Sequence, residues 1–122
     1  MNKMLKVLKA LGEKNRLRVF VVLKHANELC VCQVADFLGL ALGTVSRHMS
    51  ILNDAGLIRS SKKGRWTYYS FAGDIDPILM EWVNRAVEND PSVPEDIKRI
   101  EAILDEYENE KHPFAKARKN CD

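Results

Sequence analysis

The stretch from Cys30 to Phe71 constrains the fold more than any other part of the chain. Two short segments, 30–38 and 42–53, are separated only by Gly39-Leu40-Ala41. Val34, Phe37 and Leu38 make an apolar stripe on the first; Val45, Met49 and Leu52 make one on the second. Spacings of three and four predict helices, and Gly39 is a natural stop for the first. The second places Thr44, Ser46, Arg47, His48 and Ser50 outward, and Asp54-Ala55-Gly56 closes it. Residues 57–60 then read as a strand, 61–65 as a turn carrying Lys62, Lys63 and Arg65, and 66–71 as a second strand rich in aromatic residues. Two helices about a tight turn, followed by a basic-tipped hairpin, have the layout of a winged helix-turn-helix: mainly α, with a β-hairpin wing.

The flanks are helical. Met4, Leu5, Leu8 and Leu11 recur at helical spacing, with Lys3, Lys6 and Lys9 opposite and Gly12 as the end. Asn15 is expected to cap a second helix to about Ala26, whose apolar face holds Leu17, Phe20, Val21 and Leu23, broadened by Val19 and Val22. His25 lies at its C-terminal end, where an imidazolium suits the helix dipole. Asp76 and Pro77 open a fifth helix with a stripe of Ile78, Leu79, Trp82, Val83 and Ala86. Ser92 to Glu95 reads as a capping box before a sixth helix bearing Ile97, Ile100, Leu104 and Tyr107. From Glu110 the chain is polar and expected to fray. The expected division is 1–90, a DNA-binding and dimerisation unit, and 91–122, a C-terminal helix and flexible tail. The first and fifth helices carry more apolar surface than a lone domain needs, so they are the expected homodimer contacts; a monomer in which they pack on each other is the alternative.

Charge separates along the chain. Net charge is only +2. Residues 41–73 nevertheless carry five Lys/Arg against Asp54 alone, and residues 74–110 carry three against twelve acids. One basic face suits an anion such as nucleic acid, and an acidic face is kept off it. Arg47 can bond guanine in two places or clamp a phosphate; Thr44, Ser46, His48 and Ser50 are short enough to approach bases or backbone. Lys62, Lys63 and Arg65 would hold the backbone from the wing, Arg65 also reaching a narrowed minor groove. The expected partner is double-stranded operator DNA, read by a dimer as two half-sites. No apolar run approaches a membrane span and the N-terminus has no signal-peptide core, so the expectation is a cytoplasmic protein without membrane contact. A thiol enzyme is disfavoured: Cys-x-x-Cys, a nucleotide loop and a strand-helix-strand scaffold are all missing.

The three cysteines are Cys30, Cys32 and Cys121. Cys30 and Cys32 stand one residue apart at the head of the helix-turn-helix, too close for an ordinary disulfide framework, and in a reducing compartment such thiols act as ligands or reactive groups. The plainer reading is two small buried apolar residues. Residues two apart in a regular helix point about 200° from each other. Sharing one soft ion then needs a non-helical segment or one that ligation unwinds. Either way, ligation would oppose the geometry that DNA needs. Zinc takes four ligands and trigonal arsenite three thiolates; Cys121 supplies the third only if the tail folds back, and is otherwise a free thiol.

In these features the chain resembles the ArsR/SmtB family of bacterial metal-sensing repressors over residues 4–87. The marks are Glu28-Leu29-Cys30-Val31-Cys32, the run Thr44-Val45-Ser46-Arg47-His48-Met49 with Leu52, the step Ala55-Gly56-Leu57-Ile58, and Gly64-Arg65-Trp66 followed by Tyr69. The resemblance implies a homodimeric winged-helix repressor, joined through its first and fifth helices, that releases its operator on binding As(III), Sb(III) or a soft divalent ion. Sensing of Cd(II) or Pb(II), or of thiol oxidation or persulfide through Cys30 and Cys32, is the alternative. The chain departs from the family pattern in four places. Ala35 stands where some arsenic sensors have a third cysteine. The N-terminal segment lacks the cysteines of cadmium and lead sensors. The fifth helix has Asp74, Asp76 and Glu81 but no His for a zinc site, and Ala41-Leu42 replaces a common Ser-Gln.

Overall fold

A computed structural model describes residues 1–108; Cys121 and the rest of the tail lie outside the described residues. The chain order is α1 (Asn2–Leu11), α2 (Lys14–Ala26), β1 (Glu28–Cys30), α3 (Val31–Leu38), α4 (Leu42–Asp54), β2 (Ile58–Lys63), β3 (Trp66–Phe71), α5 (Pro77–Val87) and α6 (Ser92–Glu108). The expected winged helix-turn-helix is present. Among the described residues, no helix is long and apolar enough to cross a membrane.

The caps differ from the sequence expectation in two places. Glu13, not Asn15, caps α2: it sits in extended conformation and its side chain accepts from the Asn15 backbone N–H. At α6 the acceptor is Asp90, whose Oδ1 takes the Ser92 N–H at 2.9 Å and hydroxyl at 2.7 Å; Ser92 is already helical. These bonds hold the Asp90 carboxyl below its usual range, the Ser92 hydroxyl contributing most. Asp76 caps α5 as expected, accepting from Ile78 N at 2.8 Å.

The sheet has the order β1-β3-β2, all antiparallel. β1 was not anticipated, because three residues are too few to show a period. Asn27, at φ 69° and ψ −49°, turns the chain out of α2. The chain then pairs Glu28 with Ser70, Leu29 with Tyr69 and Cys30 with Tyr68. β2 runs longer than expected, to Lys63, so the hairpin loop is only Gly64-Arg65, with Gly64 at φ +65°.

One core joins the helices to the sheet. Phe20, Leu23, Leu29, Met49, Leu52, Ile58 and Ile100 are fully buried, and the Phe20 and Phe71 rings lie 4.8 Å apart. α6, set beyond the expected boundary at residue 90, buries Ile100, Ile103 and Tyr107 in that same core. Polar links reinforce this. Arg18 of α2 makes a two-point pair with Asp96 of α6 at 3.0 and 3.1 Å and lies over the Phe37 ring of α3. The carboxylate bond raises the Arg18 pKa further. Arg99 of α6 donates to the Asp36 and Phe37 carbonyls, at 2.9 and 3.3 Å, at the C-terminal end of α3. The helix-turn-helix is therefore braced from behind by α6.

A candidate nucleic-acid interface and a buried dithiol

The turn between α3 and α4 is set by Gly39, left-handed at φ 69° and ψ 32°, whose N–H returns to the Ala35 carbonyl at 2.8 Å. Ala41 is the N-cap of α4 and brings no capping side chain. α4 turns Val45, Met49 and Leu52 into the core. Thr44, Ser46, Arg47 and Ser50 are exposed together on its other side. On the wing, Lys62 and Arg65 are also exposed. Among the described residues, no ion pair or hydrogen bond engages the Arg47, Lys62 or Arg65 side chains.

Two of the expected contact residues are occupied within the chain. The His48 side chain is only 16% exposed; its Nδ1 lies 3.0 Å from Arg16 Nη1 and 3.5 Å from Glu13 Oε2. Its spacing carried the signal: three residues after Val45 and four before Leu52, His48 flanks the buried stripe. Lys63, on the end of β2, donates from Nζ to Glu28 Oε1 at 2.8 Å and stands 5.0 Å from the Tyr68 ring centre. That hydrogen bond raises the Lys63 pKa. It also ties the wing to β1, two residues before Cys30.

Cys30 and Cys32 are both buried, at 1% and 3% exposure, and neither is in a disulfide. They do not share one helical conformation. Cys30 is the last residue of β1 and the N-cap of α3, extended at φ −85° and ψ 162°; Cys32 lies in the first turn. The pair therefore already straddles a strand-to-helix junction, which is the non-helical case of the two that spacing left open. Cys30 takes part in a reciprocal cap: Gln33 Oε1 accepts the Cys30 N–H at 2.9 Å, and the Cys30 sulfur faces the Gln33 N–H. Cys30-Val31-Cys32-Gln33 thus reads as a capping box with sulfur in place of a hydroxyl, and its spacing was the overlooked signal. The arrangement buries Gln33 without leaving its amide oxygen unmet.

Two adjacent sulfurs suit a soft ion. Among the described residues, no cluster of three or more His, Cys, Asp or Glu is assembled around them or elsewhere. The donor set there is a dithiol short of a third ligand. Coordination through the Cys30 sulfur would take it from the α3 cap. Losing such a cap costs about 0.5–2 kcal/mol, at the low end for a weak sulfur acceptor. The first turn of α3 is thus the part that would yield to a stronger ligand on that sulfur.

Residues 13–60 match the family described as bacterial regulatory protein, arsR family. The arsenic resistance transcriptional regulator ArsR1 of Pseudomonas putida is 33% identical over 78 residues, covering 64% of this chain and 58% of that one. The cadmium resistance regulator CadC of Listeria innocua is 38% identical over 61 residues, 50% of this chain and 51% of its own. The chain thus spans little more than half the length of these two relatives. The HTH-type transcriptional regulator MJ1325 of Methanocaldococcus jannaschii is 34% identical over 68 residues, 56% of this chain and 76% of its own. Among solved structures, the homodimeric winged helix-turn-helix DNA-binding domain Mb0332 of Mycobacterium bovis superposes with a TM-score of 0.63 at 27% identity, covering 74% of this chain and 82% of that one. The α3–turn–α4 unit lies inside the matched segment and the wing continues past it; with MJ1325 matched at 34% identity over 76% of its own length, the chain belongs to the arsR family of bacterial regulatory proteins.

Proposed function

We propose that this protein is a homodimeric repressor that releases its operator when As(III) or Sb(III) binds at Cys30 and Cys32. One observation carries the reading: Cys30 ends the strand paired with wing strand β3, and its sulfur, a soft donor, is part of the cap that starts α3. An ion held there pulls on both halves of the DNA-reading surface. Thr44, Ser46, Arg47 and Ser50 would enter the major groove, and Lys62 and Arg65 would hold phosphates. His48 and Lys63 would serve by holding α4 and the wing in place. DNA favours the capped state and the metalloid the uncapped one, so each weakens the other.

Cys121 is the proposed third sulfur. α6 packs beside α2 in the same sense, Asp96 meeting Arg18 and Glu101 meeting His25. Its C-terminal end therefore lies toward the end of α2 from which β1 and Cys30 follow. From Glu108, thirteen further residues reach Cys121, a span of at most about 43–47 Å at about 3.3–3.6 Å per residue.

The dimer is proposed to form through α1 and α5. Met4, Leu5 and Leu8 on one and Ile78 and Trp82 on the other stand exposed, and all but Leu5 line a cleft of about 900 Å³ that also touches residues 55–57 and 74–76. Such an apolar patch fits a second copy of the chain, and the solved relative Mb0332 is homodimeric.

The test is arsenite titration of a protein–operator complex by mobility shift, with sulfur count by X-ray absorption. Release by arsenite with three sulfurs, falling to two in Cys121→Ser, supports the whole scheme. Release by Cd(II) or Pb(II) alone, or by mild oxidant reversed by reductant, would replace the inducer while keeping the dithiol.

A further inference from the structure

The first turn of α2 holds a basic side chain where the helix dipole disfavours one. Arg16 is the third residue of α2, and that turn contains no acidic residue of its own. Its guanidinium does not face solvent: the side chain is 11% exposed. It reaches back across the α1–α2 corner, donating from Nε to the Ala10 carbonyl at 2.8 Å and from Nη2 to the Lys9 carbonyl at 3.2 Å. Those are unpaired carbonyls of the last turn of α1, the negative end of that helix. The corner is tight, since a Cβ on Gly12 would lie 2.8 Å from the Leu8 carbonyl oxygen. The remaining arm, Nη1, meets His48 Nδ1 of α4 at 3.0 Å.

Arginine has no acceptor, so Nδ1 must be the lone-pair nitrogen and the imidazole proton sits on Nε2. This assignment also explains Glu13. Its Oε2 is buried without a hydrogen bond, 3.5 Å from His48 Nδ1 and 4.0 Å from Arg16 Nη1. While Nδ1 accepts from Arg16 it has no proton to give, and Glu13 contributes only its charge. Among the described residues, α1 and α4 are also linked by Lys6 with Asp54 at 3.5 Å, a pair exposed on both sides, and such pairs hold little. Arg16 is therefore the buried polar connection between α1 and the helix that carries Arg47.

We propose that Arg16 is a positioning residue for DNA recognition, fixing α4 against the C-terminal end of α1 through the Nδ1 of His48. The inference rests on α4 being the DNA-reading helix. His48, on this view, sets the angle of α4 and touches no phosphate. Arg16 then transmits the placement of α1, hence of the partner subunit, to the reading surface.

The experiment uses the full chain and two probes: a duplex selected by the wild-type protein from a randomised library, and a random duplex of equal length. Arg16→Gln and His48→Leu should each weaken binding to the selected duplex by about tenfold, the scale of one lost base-pair discrimination. Binding to the random duplex should stay unchanged. The double variant should be no worse than either single one, because both remove one shared link. The dependence of affinity on salt should keep its slope, since no phosphate contact is lost. His48→Asn, whose amide oxygen can stand where Nδ1 does and accept from Arg16, should retain binding. A slope reduced by about one unit would make these residues phosphate contacts and overturn the proposal. Equal loss on both duplexes, or no loss, would also overturn it. If the wild-type chain selects no duplex, the DNA reading of α4 fails instead, and the link is judged by ¹⁵N NMR of His48. Nδ1 should be the unprotonated nitrogen and shift in Arg16→Gln; identical spectra would overturn it.

Discussion

The Gln33 side chain accepts the backbone N–H of Cys30 at 2.9 Å, so the first proposed metalloid ligand is also the residue that starts the helix-turn-helix. Sensing and reading then need no long pathway between them. A ligand on Cys30 acts on the α3 cap directly, and on wing strand β3 through the β1 pairing.

Gln33→Leu should remove the side-chain acceptor of the buried Cys30 N–H. The expected loss is about 1–3 kcal/mol of unfolding free energy, measured by urea titration followed by far-UV circular dichroism. An unchanged midpoint would mean that the cap contributes nothing to stability.

Ala41→Ser should do the opposite. α4 begins at Ala41 with no capping side chain, and a serine there can take an N–H of the first turn. A gain of about 0.5–2 kcal/mol is expected, read as a higher melting temperature with the operator-binding surface untouched.

The two-point pair of Arg18 with Asp96 is only partly exposed, 28% and 14% on the two sides, and it anchors α6 to α2 beside Phe37. Asp96→Ala removes two charge-assisted bonds and should cost about 1.5–3 kcal/mol. Hydrogen exchange should then quicken first in α6 and at the end of α3, where Arg99 holds the Asp36 and Phe37 carbonyls. Faster exchange confined to α1 would contradict this bracing.

Burial pushes the Tyr69 phenol above its usual value, the nearby Cys30 sulfur adding to the effect. The folded state holds that proton more tightly than the unfolded chain. The resulting stability is complete below about pH 10, the ordinary tyrosine value, and is lost as pH rises through the raised value. Unfolding measured at pH 8 and again above 10 should show a smaller alkaline loss in Tyr69→Phe than in wild type. Equal losses would assign the alkaline weakness to other groups.

Trp82→Glu places a charge in the exposed apolar face of α5, where Trp82 is 61% and Ile78 77% exposed. Sedimentation velocity should show a monomer that keeps its helical spectrum. A dimer unchanged by this substitution would move the interface off α5.

The helix-turn-helix and wing were legible because their signals are periodic and local: the stripes on 30–38 and 42–53, Gly39, and the aromatic run 66–71. The dithiol was legible as a pair, but its conformation was not. β1 exists only because β3 offers it an edge, and three residues carry no period of their own. The same limit applies to the bonds that position the site. Arg16 meets His48 across thirty-two positions and Arg99 meets Asp36 across sixty-three; side-chain reach over such separations leaves no mark in spacing. Polarity alone sent His48 outward, although its position beside Val45 and Leu52 favours the flank of the buried face.

The most direct measurement is arsenite-driven release of operator from wild type and Cys30→Ser, with fold and dimer state monitored together. Serine can still accept the Gln33 N–H, so the variant should remain folded and bind DNA as wild type does, while arsenite no longer releases it. Release from Cys30→Ser at the wild-type arsenite concentration would contradict the proposed coupling of the Cys30 sulfur to the start of α3.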